Sequence, residues 1–160
     1  GALKNLSIGC GSQNGKAYIH SAGKMEVLDM SKLWTPEYIG DQDGFLESMA
    51  AAAQAVVNYF EKRQGIIYIS VMNNMSIDCD CVDHPEPVKL EDYGILASTD
   101  PVALDQACLD KVFTHKAGEG DDEKPLIERI NRQHGTYITD YAEQIGLGSK
   151  KYVIVDIDKK

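Results

Sequence analysis

The chain has 160 residues, and 16 Lys and Arg against 25 Asp and Glu leave a net charge of −9. That length fits one domain with a core of its own, and the acid excess excludes nucleic acid, whose phosphates demand a basic stripe. No apolar run reaches eighteen residues and no charged segment with an apolar stretch opens the chain, so neither a membrane span nor a signal peptide is expected. The four cysteines, at 10, 79, 81 and 108, lack the dense spacing of a secreted disulfide scaffold and read as reduced thiols of a cytoplasmic protein.

In chain order, Leu3 to Ile8 reads as a short strand running into the Gly-rich turn Gly9 to Lys16. Its glycines miss the Walker spacing, and Ala17 stands where Ser or Thr would hold magnesium, so a plain turn is expected there. Residues 21 to 43 show no clear periodicity and read as a connection. A long helix over 44–62 follows, with Asp43 as N-cap, Phe45, Met49, Ala52, Val56 and Tyr59-Phe60 as its apolar positions, and Gly65 beyond its end. Ile66 to Val71 is a continuous β-branched and aromatic run, the mark of a strand buried on both faces. Gly94 to Ser98 reads as another short buried strand. Asp100 as N-cap and Pro101 at the first helical position then open a helix over 101–114. Two shorter helices are expected around Leu126–Gln133 and Tyr137–Ile145, and a last strand at Tyr152–Ile157. This order predicts one α/β domain spanning 1–160, three-layered, with a mostly parallel or mixed sheet covered by helices and the strands at 66–71 and 94–98 as central neighbours.

The densest group of metal-capable side chains is Asp78-Cys79-Asp80-Cys81, with His84 three residues on. In an extended segment residues two apart face the same way, so Cys79 and Cys81 share a side and Asp78 and Asp80 take the other. Two thiolates suit zinc, ferrous iron or an iron–sulfur cluster far better than magnesium or calcium. The competing interpretation is a pair of reduced cysteines at a strand end, with aspartates turning the chain. His84 precedes Pro85, which favours an extended turn residue. Cys10, in the glycine turn, joins the pair only if the fold brings it there. Cys108 takes a core-like helix position, and Asp105 faces either a site or solvent.

Five separated motifs, in order, carry a resemblance. They are Gly1 to Leu6; Gly15-Lys16 followed by His20-Ser21; Asp78 to Cys81; Gly94-Ile95-Leu96-Ala97-Ser98-Thr99-Asp100-Pro101-Val102-Ala103-Leu104-Asp105-Gln106-Ala107; and Ala142 to Gly148. Together they resemble domain of unknown function 362, whose members are commonly labelled iron–sulfur centre or ferredoxin-like proteins, over nearly the whole chain except 22–43. The resemblance singles out His20, in the His-Ser motif, as an imidazole to join the two thiolates. It also implies that the chain is the C-terminal portion of a longer protein, with more α/β structure preceding it. Many members carry a double Cys-x-x-Cys-x-x-Cys insert for [4Fe-4S] clusters where this chain has its cysteine-free connection.

The expected function is a metal-binding or iron–sulfur-associated redox protein of unassigned reaction. Its principal ligands would be Cys79, Cys81 and His20 on zinc or iron, with Asp78, Asp80, His84 and Cys10 as weaker candidates. Electrons would come from a ferredoxin-type partner, and the missing N-terminal region is the other expected partner. The alternatives are a thiol-redox enzyme cycling the Cys-x-Cys pair and a non-catalytic module docking partners through its acidic surface. An open sheet edge left by truncation would favour pairing with another chain, and hence a homo-oligomer.

Overall fold

The computed structural model describes residues 1–61, 65–78, 83–88, 90–115 and 123–158. The chain opens as helix, not strand. A short helix α1, Ala2–Lys4, runs directly into a π-helical segment, Asn5–Gly9. Leu3 and Leu6, three apart, turn one face to the core, which helical periodicity satisfies and strand periodicity does not. The Asp105 carboxylate accepts the N–H groups of Ala2 at 2.6 Å and Leu3 at 2.9 Å, two donors with no partner inside the first helical turn. The Ser7 hydroxyl donates to the carbonyls of Leu3 and Lys4, and the ladder widens there into π turns.

The glycine-rich stretch is shorter than a loop reading implies. Ser12 caps helix α2, Gln13–His20, with its hydroxyl accepting from Gly15 N–H, so Gly15 and Lys16 lie inside the helix. The connection that follows holds one four-residue helix, α3, Pro36–Ile39, and a small cluster in which Met25 and Leu33 pack on Ala17. Helix α4, Gln42–Glu61, begins earlier than expected because Asp41, not Asp43, accepts the Gly44 N–H at 2.9 Å. Its buried stripe is Leu46, Met49, Ala50, Ala53 and Val57, while Tyr59 and Phe60 at its end stay exposed.

Strands β1, Tyr68–Met72, and β2, Gly94–Ser98, pair antiparallel, with Tyr68 opposite Ser98 and Met72 opposite Gly94. The two strands are neighbours as expected, but their antiparallel pairing departs from the expected mostly parallel or mixed sheet. A parallel pair needs a crossover of a dozen or more residues, usually a helix, and the described residues between the strands contain none. Helix α5, Pro101–Thr114, packs across both strands on one face. Tyr68 and Met72 are buried on that face, whereas Ile69, Val71 and Ile95 on the other are more than 60 % exposed. Among the described residues the sheet has two strands and helical cover on one side only.

Helices α6, Lys124–Arg132, and α7, Tyr137–Gln144, complete the helical set. The main core gathers Leu3 and Leu6 with Ala50, Ala53 and Val57 of α4, Val102 and Leu104 of α5, and Ala142. The alanines of α4 and α7 allow these helices to approach closely. Tyr152–Ile157, expected as a last strand, pairs with no strand among the described residues.

Candidate functional site

Cys79, Asp80 and Cys81 lie outside the described residues, so their geometry, and that of the proposed site built on them, is not given by the structure. Its flanks are. On the way out of β1, Asn74 takes the left-handed conformation and donates its N–H to the Asp92 carboxylate at 2.8 Å. Asp78 then reaches across the loop: its Oδ2 accepts the Glu86 N–H at 3.0 Å, while Oδ1 meets the Arg129 guanidinium of α6 at 2.8 Å. The Glu86 N–H and then Arg129 hold its carboxyl below the usual carboxylate range, against a desolvation that acts in the opposite direction. The loop carrying both thiols is therefore closed at its base by a carboxylate already engaged on both oxygens.

His20 sits near the C-terminal end of α2. Its Nδ1–H donates to the Lys16 carbonyl at 2.7 Å, which leaves Nε2 with its lone pair and no hydrogen-bond partner among the described residues. The ring stacks on Phe45 at 5.2 Å and meets Trp34 edge-on at 6.2 Å. His84 stands in solvent, its side chain 95 % exposed, with Asp83 at 3.4 Å. Cys10 is exposed at the end of the π-helical segment. Cys108, half-buried on α5, has its thiol pushed up by burial, partly opposed by a hydrogen bond with Ser70. Among the described residues, no three His, Cys, Asp or Glu side chains form a group able to hold a metal ion.

The carboxylates of the long motif at 94–107 serve the fold. Asp100 Oδ1 accepts the N–H groups of Val102 and Ala103, and Oδ2 accepts that of Ser149 at 2.8 Å. Asp105, 8 % exposed, holds the N-terminal helix as described. Gln106 accepts the Thr139 hydroxyl at 2.9 Å, tying α5 to α7.

One cluster had no signal in the sequence. Glu123, 4 % exposed, accepts the Tyr93 hydroxyl at 2.9 Å, and His115 lies 3.5 Å from Glu123 and 3.2 Å from Glu91. Burial and then Glu123 push the Tyr93 phenol far above its ordinary range. Each member looks like an ordinary surface residue in one dimension, and only folding joins 91–93, 115 and 123. A cavity of about 480 Å³ where the end of α4 meets the start of β1 is lined by Val57, Glu61, Ile66, Tyr68 and Thr99. Of the expected ligands that are described, none of His20, Asp78, His84 and Cys10 lines it.

No helix among the described residues is long and apolar enough to cross a membrane. Neither the curated proteins nor the solved structures contain a match to the chain. The family model described as Domain of unknown function (DUF362) matches residues 1–110. That span holds four of the five motifs and both structural carboxylates of α5, and the chain belongs to this family.

Proposed function

We propose that the protein binds a soft metal ion, zinc or iron, through Cys79 and Cys81, with His20 as third ligand, and that it works in iron–sulfur-associated redox chemistry. The observation that carries this reading is the loop closure at Asp78. Holding Asp78 against Glu86 restrains the ends of a short segment with two thiols two residues apart, which lowers the ordering cost of bringing both onto one ion. Asp78 is then a positioning residue and not a ligand, because Arg129 and the Glu86 N–H already occupy its oxygens. His20 supports the reading independently: an imidazole whose Nδ1–H is committed to a backbone carbonyl has the tautomer that leaves Nε2 able to ligate a metal.

Two thiolates and an imidazole suit a single zinc or iron ion, which would supply Lewis acidity or one-electron chemistry respectively. Ferredoxin-type clusters need more thiolates than this loop offers and would belong to a redox partner. Thiolate ligands stand about 2.3 Å from zinc, so the two sulfurs approach to roughly 4 Å when loaded.

Metal analysis and a visible spectrum of anaerobically purified protein test this. About one metal ion per chain is expected, falling to background when both Cys79 and Cys81 become serine, which removes the soft ligands at similar size. His20→Ala lowers the affinity while leaving the thiolate-to-metal signature. Unchanged metal content in the double serine variant sinks the proposal.

A second reading, a partner-docking module, is favoured by the uncovered face of the sheet. In that reading a mixed, three-layered sheet exists in the assembled protein, its third layer supplied by whatever covers Ile69, Val71 and Ile95.

A further inference from the structure

Two elements of this chain have strand character but no strand-like burial. The outer face of the β1–β2 sheet presents Ile67, Ile69, Val71 and Ile95, between 62 and 72 % exposed. The segment 152–157 presents Val153, Ile154, Val155 and Ile157, between 56 and 88 % exposed. Runs of β-branched residues with apolar side chains on both sides are the pattern of strands covered on both faces.

The chain does not bring its own two elements together. The start of the segment is pinned to the helical side of the molecule: Ser149 N–H to Asp100, Lys150 N–H to Glu143, and the Tyr152 hydroxyl to Asp110 of α5 at 2.6 Å. Each element lacks what the other supplies. Charge agrees, since residues 150–160 carry four lysines against two aspartates, whereas the rest of the chain carries twelve basic against twenty-three acidic residues. Glu91 and Asp92 lead directly into β2. A basic-ended apolar segment and an acidic body with an uncovered apolar face are complementary between two copies.

We propose that a second copy of this chain docks on the uncovered side of the sheet, its residues 152–157 packing across that apolar face, and that the exchange is reciprocal. Reciprocity follows from two-fold symmetry, in which the same patch serves both partners. The eight exposed aliphatic residues supply on the order of 800 Å² per partner, the size of a standard stable interface.

Solution mass against concentration tests this, using the full chain. At about 100 µM the wild type is expected at twice the mass of one chain, dissociating on dilution. Val153→Asp with Val155→Asp cripples the segment, and Ile69→Lys with Val71→Lys cripples the face. Each pair weakens self-association at least tenfold while the helical circular dichroism is kept. Mixing the two variants restores a dimer, because the mixed pair retains one intact segment and one intact face. A wild type that stays at the mass of one chain overturns the proposal and leaves the face to a different partner. So does a dimer that survives both sets of substitutions, or a mixture that fails to restore it. Should the face variant lose its helical signal, the segment variant, altered where nothing packs, decides alone. Metal content is unaffected in every arm, so failure here and failure of the thiolate site are distinguishable.

Discussion

The two sides of α5 and the sheet are made from similar residues and end in opposite states. On the helical side, Leu3, Val102 and Ala142 are fully buried, and the carboxylates of Asp100 and Asp105 are spent on backbone N–H groups from distant parts of the chain. On the strand side, residues just as apolar stand in solvent. The difference lies in what arrives to cover them. Helices reach the inner face because buried carboxylates fix their ends, and no described segment does the same for the outer face.

The largest expected effect sharpens this contrast. Leu3→Ala is expected to cost about 3 kcal/mol, as for other fully buried leucines, whereas Val71→Ala at high dilution changes stability by less than about 0.5 kcal/mol. Urea unfolding of both variants checks it, and equal costs would break the comparison. Next comes Asp105→Ala, which leaves the N–H groups of Ala2 and Leu3 without an acceptor and is expected to cost about 2 kcal/mol. Asp105→Asn keeps one acceptor oxygen and should recover part of the loss, an outcome a purely steric role would not give.

The smallest effect concerns the loop base and appears only in acid. The carboxyl of Asp78 is held below its unfolded value of about 3.8, so its contribution is fully present above that pH and is lost as pH falls through the lower folded value. Asp78→Asn should therefore flatten stability against pH below about 4 and leave the slope near neutrality unchanged. Denaturant titrations at a series of acid pH values measure it. An unchanged acid slope would mean that the contacts with Arg129 and Glu86 contribute nothing in solution.

How much of this was legible in one dimension depended on how local the deciding contact is. Helix α5 was readable to the residue because Asp100 and Pro101 announce its start from adjacent positions. The strands were readable as strands, but not their direction, since a run such as Ile66 to Val71 contains nothing that separates parallel from antiparallel pairing. Residues 3–8 were misread because the donor-starved start of that helix is satisfied by Asp105, about a hundred positions away. The N-cap of α4 was misplaced by two residues between two similar aspartates, Asp41 and Asp43; the latter instead meets His134 at 2.9 Å. Of the candidate site, the motif carrying His20 is legible in the sequence, but not the Lys16 carbonyl to which its ring donates, nor the Arg129 and Glu86 partners of Asp78.

Asp100 has one further consequence. A single carboxylate receives the amides of Val102 and Ala103 at the start of α5 and, through its other oxygen, the amide of Ser149 almost fifty residues later. These three protons share one acceptor group, so solvent reaches any of them by the same opening event. In a hydrogen-exchange experiment they should behave as a linked set, with the amide of an exposed C-terminal stretch as slow as those of a buried helix start. The residue that caps the last helix of the family-matched span thus ties the start of that helix to the chain's C-terminal segment, which Glu143 and Asp110 also hold.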